Sequence, residues 1–219
     1  MEKILYEEQV NYLDSFKKKK SDLVREMEAF AQERKIPILN ERAIEFLELL
    51  IAIKQPKRVL EVGTAIGYST IRMASRLPKK GEVHTIEISK DNIPLAMSNF
   101  TKSGLGDKIK LYEGDAFAIM PKLKKKYDLI FLDADKKDYV TLLPHVLRLL
   151  KKEGLLFVDN LLWRGQVALD DPSKGHKRSA KQVKEFNEVF MSLKKLDAAI
   201  LSIGDGIGIA VKKGKKKEK

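Results

Sequence analysis

The chain has 219 residues, 43% of them apolar, which is ample for one domain with a full core. It has no cysteine, so disulfides, thiolate metal sites and cysteine nucleophiles are excluded. A formal charge of +12 draws polyanions toward the surface, RNA foremost. Part of that charge lies in Lys17 to Lys20 and in the tail from Lys212 to Lys219, where lysines can simply be solvated or disordered. Abundant Lys and Glu without Cys also fit adaptation to heat. The opening Met1-Glu-Lys-Ile-Leu-Tyr-Glu-Glu lacks the apolar core of a signal peptide, and no apolar stretch reaches the roughly 20 residues of a membrane span. The expectation is a cytoplasmic protein without a membrane partner.

Leu23, Met27, Phe30 and Ala31 recur at helix spacing behind Ser21, a suitable N-cap, and Pro37 closes that helix. Asn40 caps a second helix, with Ala43, Leu47, Leu50 and Ile51 in one stripe, that ends at Gln55-Pro56. From Arg58 short apolar runs alternate with helical stretches, the pattern of βα units on a mainly parallel sheet. Strands are predicted near 58–62, 82–88, 108–113, 127–132 and 154–158, with helices near 67–77, 90–103, 115–124 and 138–150. After an irregular stretch over 161–175 come a helix near 179–193 and two runs, 198–203 and 206–211. Gly204-Asp-Gly206 between the runs is a hairpin signal, so the last strand should be antiparallel. The domain is expected to span 1–212, as N-terminal helices over 1–55 and a core over 56–212, with a basic tail over 213–219.

Tyr127-Asp-Leu-Ile-Phe-Leu-Asp-Ala-Asp-Lys136 and Leu155-Leu-Phe-Val-Asp-Asn160 each read as a buried strand that ends abruptly in polar residues. Open α/β sheets bind ligands at such C-terminal tips. Asp133, Asp159 and Asn160 would bring three hard oxygen donors together there, the preference of Mg2+ or another divalent cation. Val59-Leu-Glu-Val-Gly-Thr-Ala-Ile-Gly67-Tyr-Ser69 is a strand, a turn and a helix start. Gly63 and Gly67 allow close backbone approach to a ligand, and Ser69 offers a hydroxyl. The spacing lacks the third glycine of a pyrophosphate fingerprint, which disfavours an NAD-dependent oxidoreductase. Glu87 ends the next apolar run about 20 residues on, where an acid accepts from ribose hydroxyls. Glu61 can receive a ligand ammonium group, and Gly114-Asp115-Ala116-Phe117 can frame an adenine.

Each of these residues also has a bland reading. A lone Asp at a strand end is most often a cap or turn residue, Lys136 alone is a surface lysine, and Asp135 and Asp138 suit a first helical turn. His84, His145 and His176 form no cluster by spacing and are read as structural or solvent-facing. Trp163, the only tryptophan, can stack on a base with Arg164 meeting a phosphate, or simply pack a loop.

On Glu61-Val-Gly-Thr-Ala-Ile-Gly-Tyr-Ser69 with Glu87, the chain resembles the class I S-adenosylmethionine-dependent methyltransferases. On Phe131-Leu-Asp-Ala-Asp-Lys136 with Asp159-Asn160, it resembles their cation-dependent O-methyltransferases of the catechol and caffeoyl-coenzyme A type. The resemblance implies a Rossmann-like fold with a seven-stranded, mainly parallel sheet, and a homodimer. It also implies S-adenosyl-L-methionine as cofactor, touched by Ile38, Glu61, Gly63, Gly67, Tyr68, Ser69, Glu87, Asp115, Ala116 and Asp133. Asp133, Asp159 and Asn160 would bind the cation, and Lys136 falls where the family has its candidate general base, provided that its pKa is depressed.

Asp-Asn-Leu-Leu-Trp-Arg-Gly165 further resembles the bacterial transfer-RNA 5-hydroxyuridine methyltransferases. That implies the anticodon loop as partner, with Lys137, Arg164, Lys174, Lys177 and Arg178 suited to its phosphates. Two readings compete: an O-methyltransferase of free catechols or phenylpropanoid esters, and an RNA-binding protein that keeps the scaffold without turnover.

Overall fold

The repeated βα pattern is realised in the computed structural model, which describes residues 6–214. The chain begins with α1 (Glu7–Asp14), α2 (Asp22–Arg34) and α3 (Glu41–Lys54). The alternating part follows as β1 (Arg58–Val62), α4 (Tyr68–Arg76), β2 (Glu82–Glu87), α5 (Asn92–Ser103), β3 (Ile109–Glu113), α6 (Ala116–Ile119), β4 (Tyr127–Leu132), α7 (Tyr139–Leu149) and β5 (Leu150–Val158). It ends with α8 (Lys177–Ser192), β6 (Leu196–Leu201) and β7 (Ile207–Lys212).

The strands form one sheet in the order β3-β2-β1-β4-β5-β7-β6. The first five pair in parallel, and β7 lies antiparallel between β5 and β6. The chain winds outward from β1 to β3, then returns to the other side of β1 as β4. The β1/β4 boundary is therefore the topological switch point, where no crossover covers the strand ends.

Both faces of the sheet are covered, which is why its central strands are apolar throughout. Neighbouring β1 residues point opposite ways, Val59 toward a layer of α2 to α5 and Leu60 toward α7 and α8. The caps follow the sequence signals: the Ser21 hydroxyl accepts from Val24 N–H and the Asn40 amide oxygen from Arg42 N–H at 3.0 Å. Lys35 and Gln55 end their helices in the left-handed region, ahead of Pro37 and Pro56.

Several elements depart from the sequence reading. The helix α1 was not expected, because it buries no residue and so has no apolar stripe to read. The helix expected near 115–124 is only α6 followed by a 3-10 turn, Met120–Lys122, since Pro121 has no N–H to continue the α-helical ladder. The strand β5 begins at Leu150 and not near 154. A register slip against β4 absorbs the extra length, with Tyr127 opposite Leu150 but Leu129 opposite Leu155. Lys17 and Lys20 are not simply solvated: Lys17 pairs with Asp14 and Glu41, and Lys20 with Glu28 and Glu41. In the expected basic tail, Lys213 pairs with Asp197 at 2.8 Å, while 215–219 lie outside the described residues. No helix among the described residues is long and apolar enough to cross a membrane.

Phe131 is fully buried in the first layer, edge-on to Phe157 with centroids 5.5 Å apart. Phe131→Ala should cost about 3–5 kcal/mol in urea unfolding, as expected for a close-packed aromatic. A cost below about 1 kcal/mol would show that this layer collapses freely around the cavity.

Candidate active site

The backbone ladder runs one residue past the strands and gathers their ends. Gly63 N–H donates to the Ile86 carbonyl at 3.0 Å, Gly114 to Glu87 at 2.7 Å, Asp133 to Val62 at 2.9 Å and Asp159 to Leu132 at 3.4 Å. A cleft of about 540 Å³ opens along this edge. Of the residues singled out from sequence, Ile38, Gly63, Glu87, Asp115, Ala116, Asp133, Lys136, Asp159, Asn160, Trp163 and Arg164 line it. Gly63 has φ 102°, and a Cβ there would run into the Asp133 carbonyl, so a side chain is excluded where the two strand ends meet. A larger groove of about 640 Å³ lies beside α2, α3 and α4, but it holds no strand-end donor and its Glu48 is already paired with Arg72 and Arg76.

Lys136 stands in a 3-10 turn, Lys136–Asp138, whose N-cap Asp135 accepts from Lys137 N–H. Its ammonium donates to Asp133 Oδ1 at 2.9 Å, to the Tyr139 hydroxyl at 2.9 Å and to the Ala134 carbonyl at 3.2 Å. Burial alone would lower its pKa, but Tyr139 and Asp133 outweigh burial and the net shift is upward. The depressed pKa expected of a base is therefore absent in this state, because the contacts with Tyr139 and Asp133 oppose it. Tyr139 is kept neutral by burial and also donates to the Asp159 carbonyl at 3.1 Å, so it braces both acidic strand ends.

Burial, and then the charge of Asp133, push the Asp159 carboxyl well up from its ordinary value. Two carboxylates thus repel across a buried edge, and Asn160 adds an amide beside them. Among the described residues no trio of His, Cys, Asp and Glu side chains is placed to hold a metal, so the donor set is two carboxylates and an amide. That set fits a hard divalent cation, which prefers oxygen ligands and would relieve the repulsion.

The remaining expected contacts divide. The Glu87 carboxylate accepts from Thr64, Ala65 and Ser89 N–H groups, fixing the glycine turn while bordering the cleft. Asp115 caps α6 by accepting from Phe117 N–H at 2.8 Å. Glu61, Gly67, Tyr68 and Ser69 do not line the cleft. Glu61, expected to take a ligand ammonium group, is fully buried, and its oxygens accept from the hydroxyls of Ser69, Thr70 and Thr85. Tyr68 turns toward α2, where its hydroxyl donates to Glu28 at 2.7 Å. A Cβ on Gly67 would meet the Phe100 ring, so that glycine serves packing. Sequence reasoning missed Tyr139 and Asp205, both joined to the expected ligands. Tyr139 carried no signal beyond its place three residues after Lys136, and Asp205 was read only as part of a hairpin.

A doubly wound sheet with an acid-tipped cleft at its switch point defines a Rossmann-like fold with its ligand site at the strand ends. The O-methyltransferase family profile matches residues 14–213. The catechol O-methyltransferase of Niastella koreensis is 35% identical over 178 residues, covering 77% of this chain and 79% of its own. Caffeoyl-CoA O-methyltransferase 1 of Eucalyptus globulus is 32% identical over 171 residues, covering 74% and 70%. Among solved structures, the O-methyltransferase from Bacillus cereus in complex with SAH superposes with a TM-score of 0.81 at 26% identity, covering 93% of this chain and 96% of that one. The O-methyltransferase TomG from Streptomyces achromogenes, in complex with SAM, gives 0.83 at 25%, covering 96% and 100%. This chain belongs to the O-methyltransferase family, as a class I S-adenosylmethionine-dependent enzyme of the caffeoyl-CoA and catechol type.

Burial raises the Glu61 carboxyl from its ordinary 4.5 to about 7, against the Ser69, Thr70 and Thr85 hydroxyls. Between those values the folded protein holds a proton that the unfolded chain has released, so this group's contribution falls as pH rises through the window and is level above it. Glu61→Gln should therefore gain melting temperature relative to the parent between pH 5 and about 8. A difference independent of pH would show that Glu61 stays ionised throughout.

Proposed function

We propose that the chain methylates the 5-hydroxyl of uridine at the wobble position of a transfer-RNA anticodon loop in the cytoplasm, giving 5-methoxyuridine. Asp133, Asp159 and Asn160 would hold the divalent cation, Mg2+ foremost. The observation that carries the RNA substrate is a basic, aromatic loop of which Trp163 and Arg164 line one side of the cleft. Arg164, Lys174 and Arg178 are exposed and have no acidic partner among the described residues. Arg164 follows Trp163 in the chain, and His176, edge-on to the Trp163 ring with centroids 6.1 Å apart, lies between Lys174 and Arg178 in the sequence; the indole N–H is buried without an acceptor among the described residues. Lys137 and Lys177, expected to join them, are paired with Asp135 and Asp171 and contribute less. An unstacked loop base can enter such a cleft without melting a duplex.

The substrate carries a hydroxyl beside a carbonyl, a pair of oxygens that a bound cation would chelate, making that hydroxyl more acidic. The protein's own part is alignment, with Glu87 and the Gly63 turn bordering the cofactor side and Trp163 with Arg164 the base side. Lys136 Nζ is the proton acceptor of this reading. Its burial favours the neutral amine and its contacts with Tyr139 and Asp133 oppose this, so drawing Asp133 toward another partner removes one of the two and moves the lysine toward acting as a base. A homodimer is proposed as well, through apolar side chains that stand exposed on α3 and β7: Leu49, Ile53 and Val211.

Labelled S-adenosylmethionine should transfer its methyl group to transfer RNA bearing 5-hydroxyuridine in the presence of Mg2+, and not with chelator. Labelling of a free catechol alone would assign small-molecule chemistry, and labelling of neither would favour a binding protein without turnover. Arg164→Glu combined with Arg178→Glu should lower the slope of log affinity against log salt by about 0.7 for each phosphate that is no longer neutralised. An unchanged slope would remove these two residues from the RNA-binding surface.

A further inference from the structure

Asp205 borders the cleft from the turn between β6 and β7, and its two oxygens reach different parts of the loop that follows β5. Oδ2 accepts from the Asn160 side-chain nitrogen at 3.2 Å, and Oδ1 accepts from Arg164 N–H. The backbone fastens the same two segments, with Leu161 N–H donating to the Gly206 carbonyl and Leu162 N–H to the Asp205 carbonyl, each at 2.9 Å. A Cβ on Gly206 would lie 2.6 Å from the Leu162 nitrogen, so the turn meets the loop as closely as a glycine permits. The loop held this way is strained: Asn160, Trp163 and Arg164 have φ of 62°, 45° and 56°, a region non-glycine residues seldom occupy.

We propose that Asp205 is a positioning residue that sets the Asn160 amide for a divalent cation and pins the Trp163–Arg164 loop beside the cleft, so that cation binding and loop conformation are linked. The inference rests on the cation reading of Asp133, Asp159 and Asn160. An ionised carboxylate only accepts hydrogen bonds, so Asp205 can face only the amide nitrogen of Asn160 and leaves the amide oxygen for the opposite side. That oxygen is the atom a hard cation takes. No other hydrogen bond orients the Asn160 side chain among the described residues, so Asp205 selects which end of the amide faces the cation. Because the same carboxylate holds Arg164 N–H, a shift of Asn160 on cation binding is transmitted to the residue next to Trp163.

The chain's only tryptophan therefore reports on its own site. Titrating the full-length protein with Mn2+ alone should change Trp163 emission saturably in the parent. Asp205→Ala should bind Mn2+ about 10- to 100-fold more weakly, the usual effect of removing a group that orients a ligand, and the emission change should disappear. Asp205→Asn keeps one acceptor for the Asn160 amide and should fall between the two. It also carries the test if the alanine variant does not fold. Affinity for S-adenosylmethionine, measured by calorimetry without metal, should stay within twofold of the parent, whereas general damage to the cleft would weaken it. Mn2+ affinity within twofold of the parent in both variants would overturn the role of Asp205. Failure of the parent to bind Mn2+ would overturn the cation reading together with this inference, so the two failures are distinguishable.

Discussion

The close approach of Gly63 to Asp133 is the contact on which the site depends. At the β1/β4 boundary two strand ends meet with no crossover above them, and the Asp133 carbonyl occupies the space a Cβ on Gly63 would need. Parallel pairing then puts Glu87 on one side and Asp159 on the other, each held by a ladder bond from its neighbour's end. Glu87 closes the glycine turn through Thr64 and Ala65, and Asp159 is braced through Tyr139. One steric requirement at one residue thus sets how closely the two central strand ends meet, and the ladder bonds place the ends on either side.

Around that contact the protein keeps ionisable groups where charge is costly. Glu61 is sealed among three hydroxyls, Lys136 is buried against Asp133, and Asp159 sits where burial and a like charge both work against ionisation. A core optimised for stability alone would replace such groups with apolar ones. Asp133 sits at the middle of this arrangement, within reach of the lysine, its charge felt by the second carboxylate and its backbone locked to β1. Any partner that engages its carboxylate changes the proton affinity of both neighbours at once.

The sheet was legible because burial on both faces forces continuous apolar strands, and the acids at 133 and 159 stand out against such runs. The cofactor turn was legible as a motif, but its parts were not: the letters Glu61, Tyr68 and Ser69 do not say that the first and last face each other behind the cleft while the middle one turns to α2. Boundaries failed where a ladder was interrupted, at Pro121 and at the slip in β5. Asp205 lies 45 positions from the residue it orients, and only the antiparallel insertion of β7 between β5 and β6 brings the two together. Pairings made by topology leave no local trace. The lysines at 17 and 20 make the same point, since their partner Glu41 stands at the start of α3, on the far side of α2 in the sequence.

The first helix gives the molecule two grades of attachment. It buries no side chain, and among the described residues polar bonds tie α1 and the segment behind it to α3: Asp14 with Arg42, and Lys17 and Lys20 with Glu41. Bonds of this kind are screened by salt, whereas the sheet and its covering helices are held by apolar burial that salt strengthens if anything. Ionic strength therefore acts on the two parts in opposite directions. As salt rises, the ion pairs that tie α1 and the segment behind it to α3 weaken while the covered sheet does not, so the hold on that end of the molecule is set by its surroundings as well as by its fold.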